Sequence, residues 1–261
     1  MKVILKNLKE KEKENYIFGD DCVFDGNWKN DTADGKGIEY DKGNKVYEGD
    51  FKNGIREGNG IYYYNNGLRY EGEFKNDIME GKGIVYVEGN KVYEGQFKNN
   101  IMEGKGIDYY NNGYKYDGDW KNVKREGSGI VYDIDNNKVY EGDWKNDMLD
   151  GKGIFYYKGN KLYEGDYKNN EWEGKGKFYY NNGISYGGNW KNFKKEGKGI
   201  FYLNNGSKIN VNYKNDILED KGILIKEGNE SEVDITFDNK EQKLIVNYKN
   251  GEKEEFFLKI D

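Results

Sequence analysis

The chain has 261 residues, 34% of them charged, 35% apolar and 16% aromatic, with no histidine or proline and a formal net charge of −6. Without a basic surplus no nucleic-acid partner is expected, and Cys22, the only cysteine, cannot form an intramolecular disulfide, which makes the cytoplasm the expected compartment. The charge-rich balance leans toward disorder but the aromatic share runs against it, and a thin array hydrophobic along one face reconciles the two.

The N-terminal stretch MKVILKNLKEKEKEN has Val3-Ile4-Leu5 as its one apolar run, too short for a signal peptide. Nothing in the chain approaches the roughly 20 apolar residues of a membrane-spanning helix, so any membrane contact is expected to be peripheral. Residues 9–14 read as a solvated charge run. Tyr16-Ile17-Phe18-Gly19-Asp20 resembles the second half of a repeat copy, and residues 1–23 are read as an N-terminal cap.

From Phe24 the sequence repeats every 23 residues, with copies opening at Phe24, Tyr47, Tyr70, Tyr93, Tyr116, Tyr140, Tyr163 and Tyr186. One extra residue sits in the turn Asp133-Ile134-Asp135-Asn136-Asn137, and a degenerate ninth copy opens at Ile209. A fixed period of this size means stacked supersecondary units, each burying a face it cannot bury alone. In Tyr47-Glu48-Gly49-Asp50-Phe51-Lys52 period two places Tyr47, Gly49 and Phe51 on one face of a strand and the charged residues on the other. A six-residue connection over 53–58 is expected to lead to a second strand, Gly60-Ile61-Tyr62-Tyr63-Tyr64, and Asn65-Asn66-Gly67 to close into the next copy as a hairpin turn. The expected fold is all-β: a twisted antiparallel sheet of stacked hairpins, curling into an open-ended trough with capped ends. The first-strand glycines mark close approach of an aromatic ring from the neighbouring strand. The Gly-x-Gly pairs, such as Gly58/Gly60, open no helix and do not read as phosphate loops.

Tyr-Glu-Gly-Asp-Phe-Lys-Asn-Gly followed by Glu-Gly-x-Gly-Ile-Tyr-Tyr-Tyr and Asn-Gly resembles the MORN (membrane occupation and recognition nexus) repeat, in register over residues 24–225. The resemblance implies an antiparallel β-hairpin array in a scaffold that organises proteins at membranes or on the cytoskeleton. Homodimers and phospholipid binding are expectations that come with it. The ninth copy departs from the pattern at Ile209-Asn210-Val211-Asn212-Tyr213, where the first-strand glycine is missing, and at Asp220. Residues 226–261 alternate like strands without the repeat and are read as a C-terminal cap protecting the sheet edge.

The opening aromatics, the fifth-position aromatics (Trp28, Phe51, Phe74, Phe97, Trp120, Trp144, Tyr167, Trp190) and second-strand residues such as Ile61 and Tyr63 are expected to share the core face. That parity leaves Phe155, Tyr157, Phe178, Tyr180, Phe201 and Leu203 as an apolar stripe on the opposite face. The stripe is a candidate partner-binding surface, or else the C-terminal cap folds over it. The repeated Lys-Asn pair (Lys52-Asn53) reads as a salt-laced outer face with Asn starting the turn. Loop tips carrying Ile78-Met79, Ile101-Met102, Met148-Leu149 and Ile217-Leu218 are either adaptable binding surface or tucked against the sheet. Lys124, Arg125, Lys194 and Lys195 are the candidates for contacting anionic phospholipid.

No catalysis, cofactor or metal is expected. No base is positioned beside Cys22 or any serine, and the paired carboxylates are repeat positions rather than one special pair. The reading is a non-enzymatic scaffold for protein partners along a rigid β array, at a membrane or cytoskeletal structure. The alternative is a peripheral module for anionic phospholipid, and a sugar-stacking repeat protein stands behind both.

Overall fold

The computed structural model describes residues 14–18, by backbone alone, and 22–259; residues 9–13 of the charge run, and Gly19 and Asp20, lie outside them. Every regular element among the described residues is a β-strand. The chain divides into two units, residues 1–125 and 126–261.

In the first unit β1 (Glu14–Phe18), β2 (Cys22–Lys29), β3 (Thr32–Asp41), β4 (Asn44–Lys52), β5 (Ile55–Tyr63), β6 (Leu68–Lys75), β7 (Ile78–Val87), β8 (Asn90–Lys98), β9 (Ile101–Tyr109) and β10 (Lys115–Lys121) each run antiparallel to their sequence neighbours. The second unit continues the pattern. It holds β11 (Lys124–Tyr132, starting just before the junction), β12 (Lys138–Lys145), β13 (Met148–Tyr157), β14 (Asn160–Lys168), β15 (Glu171–Tyr179), β16 (Ser185–Lys191), β17 (Lys194–Tyr202) and β18 (Lys208–Lys214). After the two-residue β19 (Ile217–Leu218) come β20 (Lys221–Lys226), β21 (Asn229–Asp238), β22 (Lys243–Asn247) and β23 (Lys253–Phe257), again antiparallel in order.

The connection expected over residues 53–58 is shorter than the sequence suggested. Asn53 and Gly54 alone make the turn, at φ 49° and 79°, and β5 begins at Ile55. Both central residues at positive φ define the hairpin turn whose twist matches its strands, which selects Asn at the first place. The geometry is imposed even where the second residue is Val123 (φ 66°) or Phe193 (φ 63°).

Beyond the turn Phe51 faces Arg56 and Gly49 faces Gly60, so Asp50 alone stands opposite three residues of β5. The Asp50 carboxylate accepts the Asn59 N–H at 3.1 Å, satisfying a donor the irregularity would otherwise leave unpaired. Glu73, Gln96, Asp143 and Asp166 do the same for their own copies.

This register corrects the expected face of the second strand. Tyr62 lies directly across from Tyr47 and Tyr70, and Gly60 from Gly49 and Gly72. Tyr62 is therefore on the face of the opening tyrosines, whereas Ile61 and Tyr63 point the other way with Glu48 and Glu71. The same register puts Phe155, Phe178 and Phe201 opposite Tyr140, Tyr163 and Tyr186, on the core face.

Candidate functional site

The aromatic face covers itself. Tyr47 lies edge-to-face against Phe51 of its own copy and Phe74 of the next, both at 5.1 Å between ring centroids. The pattern recurs with Tyr70, Tyr93, Tyr163 and Tyr186, a geometry that adds about 0.5–1.5 kcal/mol per pair to simple burial. Each tyrosine lies over its glycines. A Cβ on Gly60 would stand 2.2 Å from Tyr47 Oη, and one on Gly49 would meet both Tyr47 Oη and Gly60 Cα at 2.5 Å. The ring expected from the neighbouring strand is found at Gly60; at Gly49 it comes from the glycine's own strand. Where the fifth aromatic is tryptophan, its indole N–H donates to the preceding copy: Trp120 to Gly106 O and Trp190 to Gly176 O, both at 3.1 Å.

The predicted stripe belongs to this interior. Phe178, Tyr180, Phe201 and Leu203 are buried; Phe155 is half-buried and Tyr157 is 44% exposed. The C-terminal segment closes against the β15–β16 turn, where Asn181 N–H donates to Lys259 O at 3.2 Å and Asn182 Nδ2 to Phe257 O at 2.6 Å. Leu258, Phe256, Leu244 and Val246 are buried as well. The stripe is core because the register turns it inward, and four of its six members are closed off from solvent.

The basic candidates separate in the same way. Lys124 and Lys194 are exposed, but Arg125 and Lys195 sit one residue further along on the aromatic face. The Arg125 guanidinium lies 5.7 Å from the Tyr116 ring and donates to Tyr110 Oη at 3.4 Å. Lys195 packs over Tyr186, Trp190 and Tyr213, and burial pushes its ammonium pKa down against the pull of Asp216. Met79, Met102, Leu149 and Trp172 hold the equivalent places, paired with the fifth-position aromatics. The second residue of every loop tip is therefore a lid on the aromatic column, while Ile101, Met148 and Ile217, at first positions, remain exposed.

The concave site lies on the other face, which sequence reasoning had treated as salt-laced exterior. In the first unit a groove of 1180 Å³ runs over Asp25, Ile38, Glu48, Ile61, Glu71, Ile84 and their continuation. Register makes this a row with one residue per strand, alternating carboxylate and isoleucine from Asp25 to Asp117. Beside it runs a second row, in which Lys36 binds Asp50 and Lys105 binds Asp119, each at 2.7 Å. Along the rim cations cover tyrosines: Arg69 stands 4.2 Å from the Tyr86 ring and Lys91 4.6 Å from that of Tyr109. Lys45 and Lys91 are raised above the usual lysine pKa first by hydrogen bonds to Glu48 and Glu94.

The second unit has a larger groove, 1880 Å³. Its row begins alike, Glu141–Ile154–Glu164, then continues Lys177–Gly187–Ile200–Asn210–Ile223–Glu232. Glu141 and Glu164 are held below the usual carboxylate range first by Lys138 and Lys161. Tyr156, which donates to Glu141 at 2.5 Å, is pushed up to about 12, chiefly by burial. The arrangement offers fixed charges and apolar steps along a channel, suited to binding an extended ligand.

The MORN repeat family model matches eight segments of the chain: residues 24–45, 47–69, 70–90, 93–113, 116–138, 140–161, 163–185 and 186–208. No curated protein matches the chain. Among solved structures it is similar to a streptogramin B lyase structure at 14% identity, covering 98% of this chain and 86% of that one with a TM-score of 0.16, which carries no argument.

Proposed function

The chain belongs to the MORN repeat family, whose repeats serve as membrane- or protein-binding modules, and on that footing we propose that it is a non-enzymatic scaffold gripping extended protein segments in the grooves of its charged face. The observation behind this reading is the repeated row of fixed charges and isoleucines lining a groove in each unit. The aromatic face is largely occupied by its own packing, which favours the charged face as the binding surface. A bound strand would meet a ligand position about every 4.8 Å along the row, the spacing of the strands beneath it.

Selection of displayed random peptides on the purified chain tests the proposal. Binders are expected to be lost when Ile61 and Ile154 are replaced by Arg, and kept when the turn residues Val123 and Phe193 are replaced by Gly. Binders indifferent to the Arg substitutions would overturn the groove assignment.

A further inference from the structure

Resting on the groove reading, we infer that the second unit's groove is an acid-specific subsite, built to take an extended acidic peptide with a carboxylate at every third residue. The observation is a local change in what the repeat places on the groove face. From β2 to β14 each first strand contributes an acidic residue to the isoleucine row: Asp25, Glu48, Glu71, Glu94, Asp117, Glu141 and Glu164. In β16 and β18 those places hold Gly187 and Asn210. In the neighbouring row the polar residues opposite Lys175 and Lys198 are Asn189 and Asn212, where Asp166 faces Lys152 and Asp50 faces Lys36. The lysines remain. A further one, Lys177, stands where other copies carry isoleucine.

The nearby carboxylates are otherwise engaged or stand at the ends. Glu164, across from Lys177, accepts from Lys161 at 2.8 Å and from Tyr179 Oη at 3.0 Å. Asp166 is held by Lys152 and the Lys175 N–H. Glu196 accepts the Asn215 N–H at 2.8 Å, and Glu232 pairs with Lys249 at 3.3 Å. Asp234 faces Lys221 across β20 and β21. Lys177 is steadied between two rings, 5.2 Å from Tyr179 and 4.7 Å from Tyr202. Lys175, Lys198 and Lys221 are exposed. The first unit's groove, with the same backbone plan, keeps an acid at every first-strand place of the isoleucine row and pairs Lys36 and Lys105 internally; of its three row lysines Lys82 alone faces a neutral residue, Gln96.

The spacing selects the ligand's form. Lys175 on β15, Lys198 on β17 and Lys221 on β20 are two strands apart at each step, about 10 Å. A polyproline II segment presents every third side chain on one side at about 9 Å intervals. An acidic peptide of that conformation therefore matches the lysines one for one. That one-for-one match favours an extended peptide over a flat anionic surface, which offers no fixed period.

The test is fluorescence anisotropy of the full chain with a labelled peptide of four Glu-Pro-Pro triplets, its Lys-Pro-Pro counterpart, and phosphatidylserine vesicles. Three variants are compared: K175Q/K198Q/K221Q; G187E/N189D/N212D; and K36Q/K82Q/K105Q as a control in the first unit. The second restores residues that other copies carry, and a Cβ on Gly187 meets only Tyr202, at 3.4 Å, so this variant keeps the fold even if the first does not. The acidic peptide is expected to bind in a salt-sensitive manner, at least tenfold more tightly than the lysine peptide. Both second-unit variants should lose at least tenfold, and the first-unit variant none. The inference is overturned if the acidic peptide fails to bind at low salt, if the second-unit variants bind it undiminished, or if only vesicles bind. Displayed peptides that occupy the groove without acidic character would leave the scaffold reading standing and remove this one.

Discussion

At the scale of single residues, the repeat's glycines are not interchangeable, and the difference can be measured. Gly60 and Gly176 lie beneath a tyrosine, where an added methyl would overlap Oη at 2.2 Å, whereas Gly187 has room. Replacing Gly176 by Ala is expected to destabilise the second unit by about 1–3 kcal/mol. Gly187→Ala should be neutral or stabilising by about 0.5–1 kcal/mol through the loss of unfolded-state freedom. Urea unfolding of the two variants side by side separates the cases. The tyrosines themselves make the fold alkali-sensitive. Burial, first of all causes, raises the phenol pKa values of Tyr47, Tyr70, Tyr93, Tyr116, Tyr163 and Tyr186. Since the folded values lie above the unfolded one of about 10, the stability they carry is whole below pH 10 and is lost as pH climbs beyond it. Alkaline titration should show phenolate absorbance appearing together with loss of β circular dichroism, not ahead of it.

At the scale of the hairpin, the turns stitch each copy to the next. Glu57, Glu80, Glu103 and Glu126 accept the N–H of the turn asparagine one copy on, at 2.9–3.1 Å. The backbone adds a parallel set of bonds, such as Asn100 N–H to Met79 O at 3.1 Å. Replacing Asn99, at φ 51°, by Ala should cost about 1–2 kcal/mol because Ala lacks the short polar side chain that lets Asn tolerate the left-handed region, while Asn99→Gly should be nearly silent. Thermal melts of both variants check it. The hairpins and the all-β class were legible because Asn-Gly turns and period-two alternation are local signals. The register of the second strand was not, since Ile61 and Tyr63 on one side and Tyr62 and Tyr64 on the other are equally apolar. One residue of slip exchanges the faces, which is why the sequence alone places Phe178 and Phe201 on the open face. Gly60 held the missing information, because only the face beneath Tyr47 demands the absence of a Cβ. The glutamate stitches had a weaker signal, a recurring Glu before the Gly-x-Gly that looked like one more surface charge.

At the scale of the molecule, stability is carried by neighbours. Within each unit opening tyrosines such as Tyr47 and Tyr163 pack on their own copy and the next, as repeat arrays require. The C-terminal closure is the exception, joining residues 181–182 to 257–259. Phe256→Ala with Leu258→Ala, both buried, is expected to destabilise the second unit by several kcal/mol and to open the closure at the β15–β16 turn, read as new binding of a hydrophobic dye. The neighbour-only plan within the first unit also has a genealogical consequence. Excising residues 70–92 would join Arg69 to Tyr93 and return every ring to a glycine of the same kind, whereas excising one residue more or fewer would break the frame of the array. A gene of this kind can therefore lengthen or shorten by unequal crossing-over without passing through an unfolded ancestor, and the number of positions in its grooves becomes a quantity that heredity can count.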